Sequence, residues 1–286
     1  MSSSAAARSK AILIGDTFPN FQAMTTKGEI DLHEYLGDDW GLLCSHPADF
    51  TPVCTTELGT CAKLDGEGEF SKRGTKMLCI SVDPLESHEG WMKDVEVATG
   101  HAITFPMICD PDGSISGKLG MLHGDRHYET GLPTTVRSVF IIAPDKTLKL
   151  SINYPATTGR NFDEILRVLD SVQLTYDKSL ATPAGWQVGT ECMVLPAVSA
   201  EDAKKRFPEV RKVNTATVQY SSTVQYSTVP GPHQASLMYS PPPPPAPPSP
   251  LPPPPPPPPL LRHPVTFCQL VCTKCRDFRK YACVTR

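Results

Sequence analysis

The 286-residue sequence predicts an α/β layer sandwich with a small C-terminal extension and a disordered tail. Three observations carry that prediction. Apolar runs of strand length alternate with helical patterns from about Ile14 to Pro155, one long amphipathic stretch follows them, and the composition changes abruptly after Asn214. The expected boundaries are a flexible N-terminus over 1–13, a main domain over 14–176, an extension over 177–214 and a proline-rich tail over 215–286.

The first residues, "MSSSAAARSKAILIG", carry Arg8 and Lys10 with no acid before Asp16. This is a faint likeness to a transit peptide, and the preferred reading is a frayed cytoplasmic terminus, with mitochondrial import the weaker alternative. "WGLLCSH", "KMLCISVD", "FPMICD", "RSVFIIAP" and "LKLSINYP" read as strands separated by helices. In "NFDEILRVLDSVQL", Asn161 can cap a helix, Glu164 can complete a capping box, and Phe162, Ile165, Leu166, Leu169 and Val172 form one apolar stripe for the sheet. The extension contributes "ATPAGW" as a turn and "SAEDAKKRF" as a short helix capped by Ser199. Beyond it "VQYSSTVQYSTV" repeats itself and Pro241 to Pro259 is nearly all proline, which lacks the amide donors and apolar variety of a core and suits polyproline II.

The totals narrow the function. A net charge of -3 without a Lys/Arg stripe argues against nucleic acid or a strongly anionic membrane as the main partner. No apolar run approaches the ~20 residues a membrane helix needs. The 10 cysteines sit in apolar runs such as "MLCISV" with no secretory signal ahead of them, which points to a reducing compartment.

The chemistry concentrates in "CSHPADFTPVCTTELG", Cys44 to Gly59. Thr51 followed by Pro52 is a helix start: threonine at the N-cap and proline at the first helical position, where no amide donor is needed. Cys54 then falls in the first turn, where unpaired amides and the positive end of the helix dipole favour a thiolate. Cys44, inside "GLLCSH", is expected to be buried, protonated and inert. A thiol of pKa about 8.5 is only ~3% thiolate at pH 7, and one near 6 is roughly 90% ionised, so activation alone yields about thirtyfold. Anything larger must come from donors that stabilise charge developing in the transition state.

"PADFTPVC" resembles the active-site pattern of peroxiredoxins. Together with "YPATTGRNFDEILRV" and "ATPAGW" it is similar to the one-cysteine, peroxiredoxin-six-type subfamily, from about Ile14 to Asn214. The resemblance implies a thioredoxin-like fold and a peroxidase that needs no cofactor beyond an external thiol. Cys54 would attack hydrogen peroxide or an organic or lipid hydroperoxide and become a sulfenic acid. Thr51 would hold the peroxide and Pro47 would shield the sulfur. Arg137, in "GLPTTVRSVF", would favour the thiolate and stabilise the departing oxygen, and His46 would support the sulfur from nearby. The family also implies a homodimer.

Two-cysteine relatives resolve the sulfenic acid with a cysteine in a "VCPAGW"-like segment, where this chain has Thr182 in "LATPAGW". The implied reductant is therefore external, glutathione with a glutathione transferase. Cys44, Cys61, Cys79, Cys109 and Cys192 read as core, and Cys268, Cys272, Cys275 and Cys283, with their single "CTKC", are too weak a signal for a metal. The subfamily's phospholipase serine lies in a "GDSWG"-like segment. Here the stretch is "GDDWG", with Asp39 in its place and His33 and Asp145 as the matching partners, so serine-type lipid hydrolysis is expected to be absent. The tail reads either as an arm for SH3- or WW-type domains or, preferably, as the product of an altered transcript. The rival function is an adaptor or chaperone-like protein recruited through that tail.

Overall fold

The computed structural model describes residues 12–127, 133–176, 178–208, 210–212 and 219–221. In chain order the elements are β1 (Gln22–Thr25), β2 (Gly28–Asp31), α1 (Leu32–Leu36), β3 (Trp40–Ser45), α2 (Pro52–Gly66), β4 (Thr75–Ser81), α3 (Leu85–Thr99), β5 (Met107–Cys109) and α4 (Ser114–Lys118). They continue with β6 (Leu122–His127), β7 (Pro133–Thr135), β8 (Arg137–Ile142), β9 (Leu148–Tyr154), α5 (Phe162–Thr175), β10 (Leu180–Ala181), β11 (Cys192–Val194), α6 (Ala200–Arg206), β12 (Val210–Lys212) and β13 (Gln219–Ser221).

A seven-stranded sheet in the order β2-β1-β5-β4-β3-β8-β9 forms the centre, with β3, β4 and β5 parallel and β8 antiparallel to β3. Alternation along each strand splits the core in two. Leu42, Cys44, Met77, Cys79, Val139 and Ile141 face α2, α3 and α5, whereas Leu43, Leu78, Ile80, Phe140 and Ile142 face the side holding α1. All five expected strands are present, as β3, β4, β5, β8 and β9. α2 and α3 approach closely because residue 59 is glycine: a Cβ there would lie 2.4 Å from Thr99 Cγ2.

α5 departs from expectation at its cap. Asn161 Oδ1 accepts from the amides of Asp163 and Glu164 as anticipated, but no reciprocal Glu164 bond closes the capping box, because the Glu164 carboxylate is held by Arg167 at 2.6 and 2.7 Å. The buried stripe contains Phe162, Ile165 and Leu169 and adds Val168, while Leu166 and Val172 are only half-buried.

A second, four-stranded sheet, β10-β11-β13-β12, covers Leu174 of α5 with Leu180, Trp186, Cys192, Val194 and Ala203. "ATPAGW" turns through a Trp186 N–H to Pro183 C=O bond, and Ser199 caps α6 by accepting from Asp202 N–H. β13, a strand of three residues beyond Asn214, pairs with both β11 and β12. Most of the N-terminal segment 1–13, the proline run and the cysteines of "CTKC" lie outside the described residues.

Candidate active site

β3 carries the chain to the C-terminal edge of the sheet, where His46 begins a loop running into α2. Two bonds pin that loop to the segment before β8: Thr135 Oγ1 donates to His46 C=O at 2.5 Å and Ser45 Oγ to Val136 C=O at 2.6 Å. Pro47 is buried. Phe50 sits in the left-handed region at φ 53°, with its side chain 57% exposed, and its ring passes over Gly90 of α3. A bulky residue in that region is strained.

Thr51 is the N-cap of α2 and Pro52 its first residue, as expected. The Thr51 hydroxyl does not cap the helix, however; it donates back to Ala48 C=O at 3.0 Å. The helical ladder begins with Thr55 N–H to Thr51 C=O, so the amides of Val53 and Cys54 precede it and give the helix its positive end. Cys54 is fully buried in this turn.

Arg137, first residue of β8 and also buried, reaches across to it. Its Nη1 donates to Cys54 Sγ at 3.3 Å and to Glu57 Oε2 at 2.6 Å, while Nε and Nη2 both donate to Ala156 C=O, at 3.0 and 2.7 Å. Glu57, three residues beyond Cys54 on α2, also accepts from Arg160 through its amide at 2.7 Å, Nε at 3.0 Å and Nη2 at 2.9 Å. Burial alone would raise the Glu57 pKa, but Arg160, by charge and hydrogen bonds, and then Arg137 outweigh it and hold the carboxyl below its ordinary value. The carboxylate therefore fixes two guanidinium groups, and one of them is aimed at sulfur.

The sequence reading named Arg137 but missed Glu57 and Arg160. Both stood inside quoted stretches, "TTELG" and "YPATTGRNF". The missing signal was their mutual proximity. His46 is buried at the start of the loop, and its Nε2 bonds Asp49 Oδ1 at 2.9 Å. Asp49 Oδ2 in turn bonds His88 Nδ1 at 2.8 Å and accepts from Ser87 Oγ at 2.7 Å. His46, Asp49 and His88 are the one group of described residues whose ligand atoms lie within metal-binding reach of one another, but the Asp49 oxygens are already taken up by hydrogen bonds.

Cys44, Cys61, Cys79, Cys109 and Cys192 are all buried and free. Burial pushes the Cys44 and Cys109 thiols up to about 11 and raises those of Cys61 and Cys79 well above the ordinary value. They are therefore poor nucleophiles at neutral pH. Thr182, in the position a resolving cysteine would take, shares a 2.7 Å hydrogen bond with Ser171 Oγ. Asp39 pairs with Lys76 Nζ at 3.2 Å, His33 Nε2 bonds Phe18 C=O at 2.8 Å, and Asp145 accepts from Thr147. No hydrogen bond joins Asp39, His33 and Asp145 to one another. No helix among the described residues is long and apolar enough to cross a membrane.

Comparison with known proteins agrees with this geometry. Residues 14–151 match the AhpC/TSA family, and residues 171–209 match the C-terminal domain of 1-Cys peroxiredoxin. Over 202 residues the chain is 54% identical to peroxiredoxin-6 of Gallus gallus and 52% identical to that of Homo sapiens, in each case 69% of this chain and 89% of the relative. Among solved structures, peroxiredoxin 6 of Arenicola marina is 50% identical with a TM-score of 0.70, covering 74% of this chain and 98% of its own. A yeast mitochondrial 1-Cys peroxiredoxin, with a thiol-resolving mechanism via glutathione/thioredoxin systems, is 40% identical with a TM-score of 0.68 and is covered completely, against 74% of this chain.

Proposed function

Since this chain belongs to the one-cysteine peroxiredoxins, thioredoxin-like thiol peroxidases of the AhpC/TSA family, we propose a division of labour among the residues around Cys54. The observation that carries it is the Arg137 Nη1 to Cys54 Sγ contact of 3.3 Å at the first turn of α2. A charged donor beside the sulfur stabilises a thiolate, and so does the end of the helix.

The thiolate attacks one oxygen of the peroxide. An S–O bond forms, the O–O bond breaks, and the departing oxygen leaves as water or an alcohol after taking up a proton. Negative charge moves from sulfur to that oxygen, so a guanidinium spanning both positions stabilises the transition state more than the ground state. Arg137 fills that role, Glu57 and Arg160 hold it in place, Thr51 offers a hydroxyl to the peroxide, Pro47 excludes water, and His46 supports the site. The Cys54 sulfenic acid then condenses with an external thiol, releasing water and leaving a mixed disulfide, which a second thiol reduces. Glutathione, delivered with a transferase, is the proposed donor. The yeast relative supports this choice and leaves thioredoxin as its competitor. A homodimer in the cytoplasm completes the proposal.

The adaptor reading gains nothing from the site, and its polyproline arm lies outside the described residues. The deciding experiment measures hydrogen peroxide consumption with dithiothreitol and the mass of the protein after one equivalent of oxidant. Wild type is expected to turn over and to gain one oxygen at Cys54, and Cys54→Ser to do neither. Equal consumption by the two proteins would remove the enzyme reading.

A further inference from the structure

Behind the loop that leads to Cys54 lies a buried chain of polar groups of which the peroxidase chemistry above uses only His46. The carboxylate of Asp49 joins His46 on the loop to His88 on α3, and Ser87 supports it. Both imidazoles are fully buried. Burial alone would raise the Asp49 pKa, but hydrogen bonds and charge from His46 and His88 outweigh it and hold the carboxyl far below the usual carboxylate range. An ionised carboxylate only accepts, so the ring nitrogens facing it must carry protons: Nε2 of His46 and Nδ1 of His88. The other nitrogen of His88, Nε2, faces Ile108 C=O at 3.3 Å.

His46 has no such second partner. Its Nδ1 is buried and has no hydrogen-bond partner. In the neutral ring, a proton held on Nε2 leaves Nδ1 with a bare lone pair, which is costly to bury unused. The ring stacks at a tilt on Trp91, 5.1 Å between centroids, and the Trp91 indole N–H donates to Thr55 Oγ1, the residue after Cys54. The unused acceptor therefore belongs to the same packed neighbourhood as the first turn of α2.

We propose that Asp49 and His88 are positioning residues that lock His46 in its Nε2–H tautomer, so that Nδ1 accepts a hydrogen bond from the O–H group that reaches Cys54: first the hydroperoxide, then the sulfenic acid. This rests on the assignment of Cys54 as the peroxide-reactive sulfur. His88 and Asp49 touch neither sulfur nor substrate in this scheme; they act through the proton position on His46. A neutral hydrogen bond of about 1 kcal/mol corresponds to roughly fivefold in rate.

The test uses the full chain with 15N-labelled histidine. Ring-nitrogen NMR reads the His46 tautomer, with the His46→Gln variant identifying its signals, and mass spectrometry of quenched samples reads the rate of oxygen addition to Cys54 by hydrogen peroxide. In the wild type, Nε2 of His46 should carry the proton and Nδ1 should not. Asp49→Asn, whose amide can donate where the carboxylate accepted, should shift the proton to Nδ1 and slow Cys54 oxidation about fivefold. His88→Leu withdraws one donor from Asp49 and should loosen the lock, moving the tautomer and the rate in the same direction as Asp49→Asn, whereas His88→Gln, which keeps a donor, should restore both toward wild type.

Three results would each overturn the proposal: a proton on Nδ1 in the wild type, a changed tautomer with an unchanged rate in Asp49→Asn, or slowed oxidation with the wild-type tautomer retained. The wild-type spectrum decides even if a variant does not fold. Oxygen addition elsewhere in a Cys54→Ser control would instead count against the assignment of Cys54.

Discussion

Arg137 Nη1 lies 3.3 Å from Cys54 Sγ and 2.6 Å from Glu57 Oε2, so one nitrogen serves both the sulfur and the carboxylate that orients it. Nε–H and one Nη2–H of the same guanidinium are spent on Ala156 C=O. Only a planar group with several fixed donors can meet these demands together.

Replacing that fork with a point charge should therefore be costly. Arg137→Lys keeps the charge but cannot hold Glu57 and Ala156 while facing the sulfur. Oxidation of Cys54 by hydrogen peroxide is expected to slow by about 10²–10³, the usual loss for a transition-state donor. Stopped-flow rates compared with the far-ultraviolet circular dichroism of the same sample check this. A folded variant within threefold of wild type would contradict it.

Glu57→Gln addresses stability more than rate. Arg160 is fully buried and Glu57 is its charge partner, so a neutral amide leaves Arg160 without a counter-charge and Arg137 with only the Cys54 sulfur. A loss of about 3 kcal/mol is expected, read as a lower urea midpoint. A midpoint equal to wild type would mean that water or another anion compensates both guanidinium groups.

The same carboxylates set the acid limit of the fold. Glu57 and Asp49 are both held below their ordinary values, 4.5 and 3.8, by the partners that outweigh their burial. A depressed folded-state pKa means that the unfolded chain takes up the proton first. The stabilisation is fully present above the ordinary values and is lost as pH falls through the folded-state ones. Urea midpoints measured along a pH series should fall steeply below about 4.5. The limb should be shallower in Glu57→Gln and in Asp49→Asn, and limbs as steep as wild type in both variants would refute the assignment.

Gly59→Ala probes the approach of α2 to α3. The added methyl would overlap Thr99, 2.4 Å from Cγ2 and 2.8 Å from Cβ, and so would push the helices apart. A destabilisation of about 1–3 kcal/mol is expected from equilibrium urea unfolding, despite alanine's better helix propensity. A stabilised variant would show that this helix pair moves freely.

Truncation separates the tail from the second sheet. Cutting after residue 214 removes β13, which lies between β11 and β12, whereas cutting after residue 225 keeps it. The longer product should melt like the full chain and the shorter one several degrees lower, with Cys54 oxidation retained in both. Loss of oxidation in the longer product would show that residues after 225 take part in the reaction.

The fold was legible where strands are long and apolar on both faces, as in β3, β4 and β8, which are covered by helices on either side. β1 and β2 escaped notice because each is four residues long and carries polar side chains, "QAMT" and "GEID", at the edge of the sheet. β13 was illegible for the same reason: "QYS" holds no apolar alternation, and its pairing is with strands distant in sequence. At the site, a local rule located Cys54, since a helix start is written in adjacent residues, whereas Arg137 was found through family resemblance alone. The Glu57–Arg160 pairing spans 103 residues and the Asp49–His88 pairing 39, and no local pattern encodes such meetings. The Glu164 capping box failed because Arg167, one turn on, competed for the same carboxylate.

Cys54, the sulfur assigned above to the reaction, has no solvent-exposed surface of its own, so under that assignment its seat should discriminate oxidants by size. An oxidant hardly larger than water is expected to reach Cys54 through ordinary breathing of the packing, whereas a long-chain hydroperoxide is expected to need a wider local opening around the first turn of α2. Discrimination between small and bulky oxidants is then kinetic, and warming should narrow it, because a wider opening of the packing has a steeper temperature dependence than diffusion through a gap.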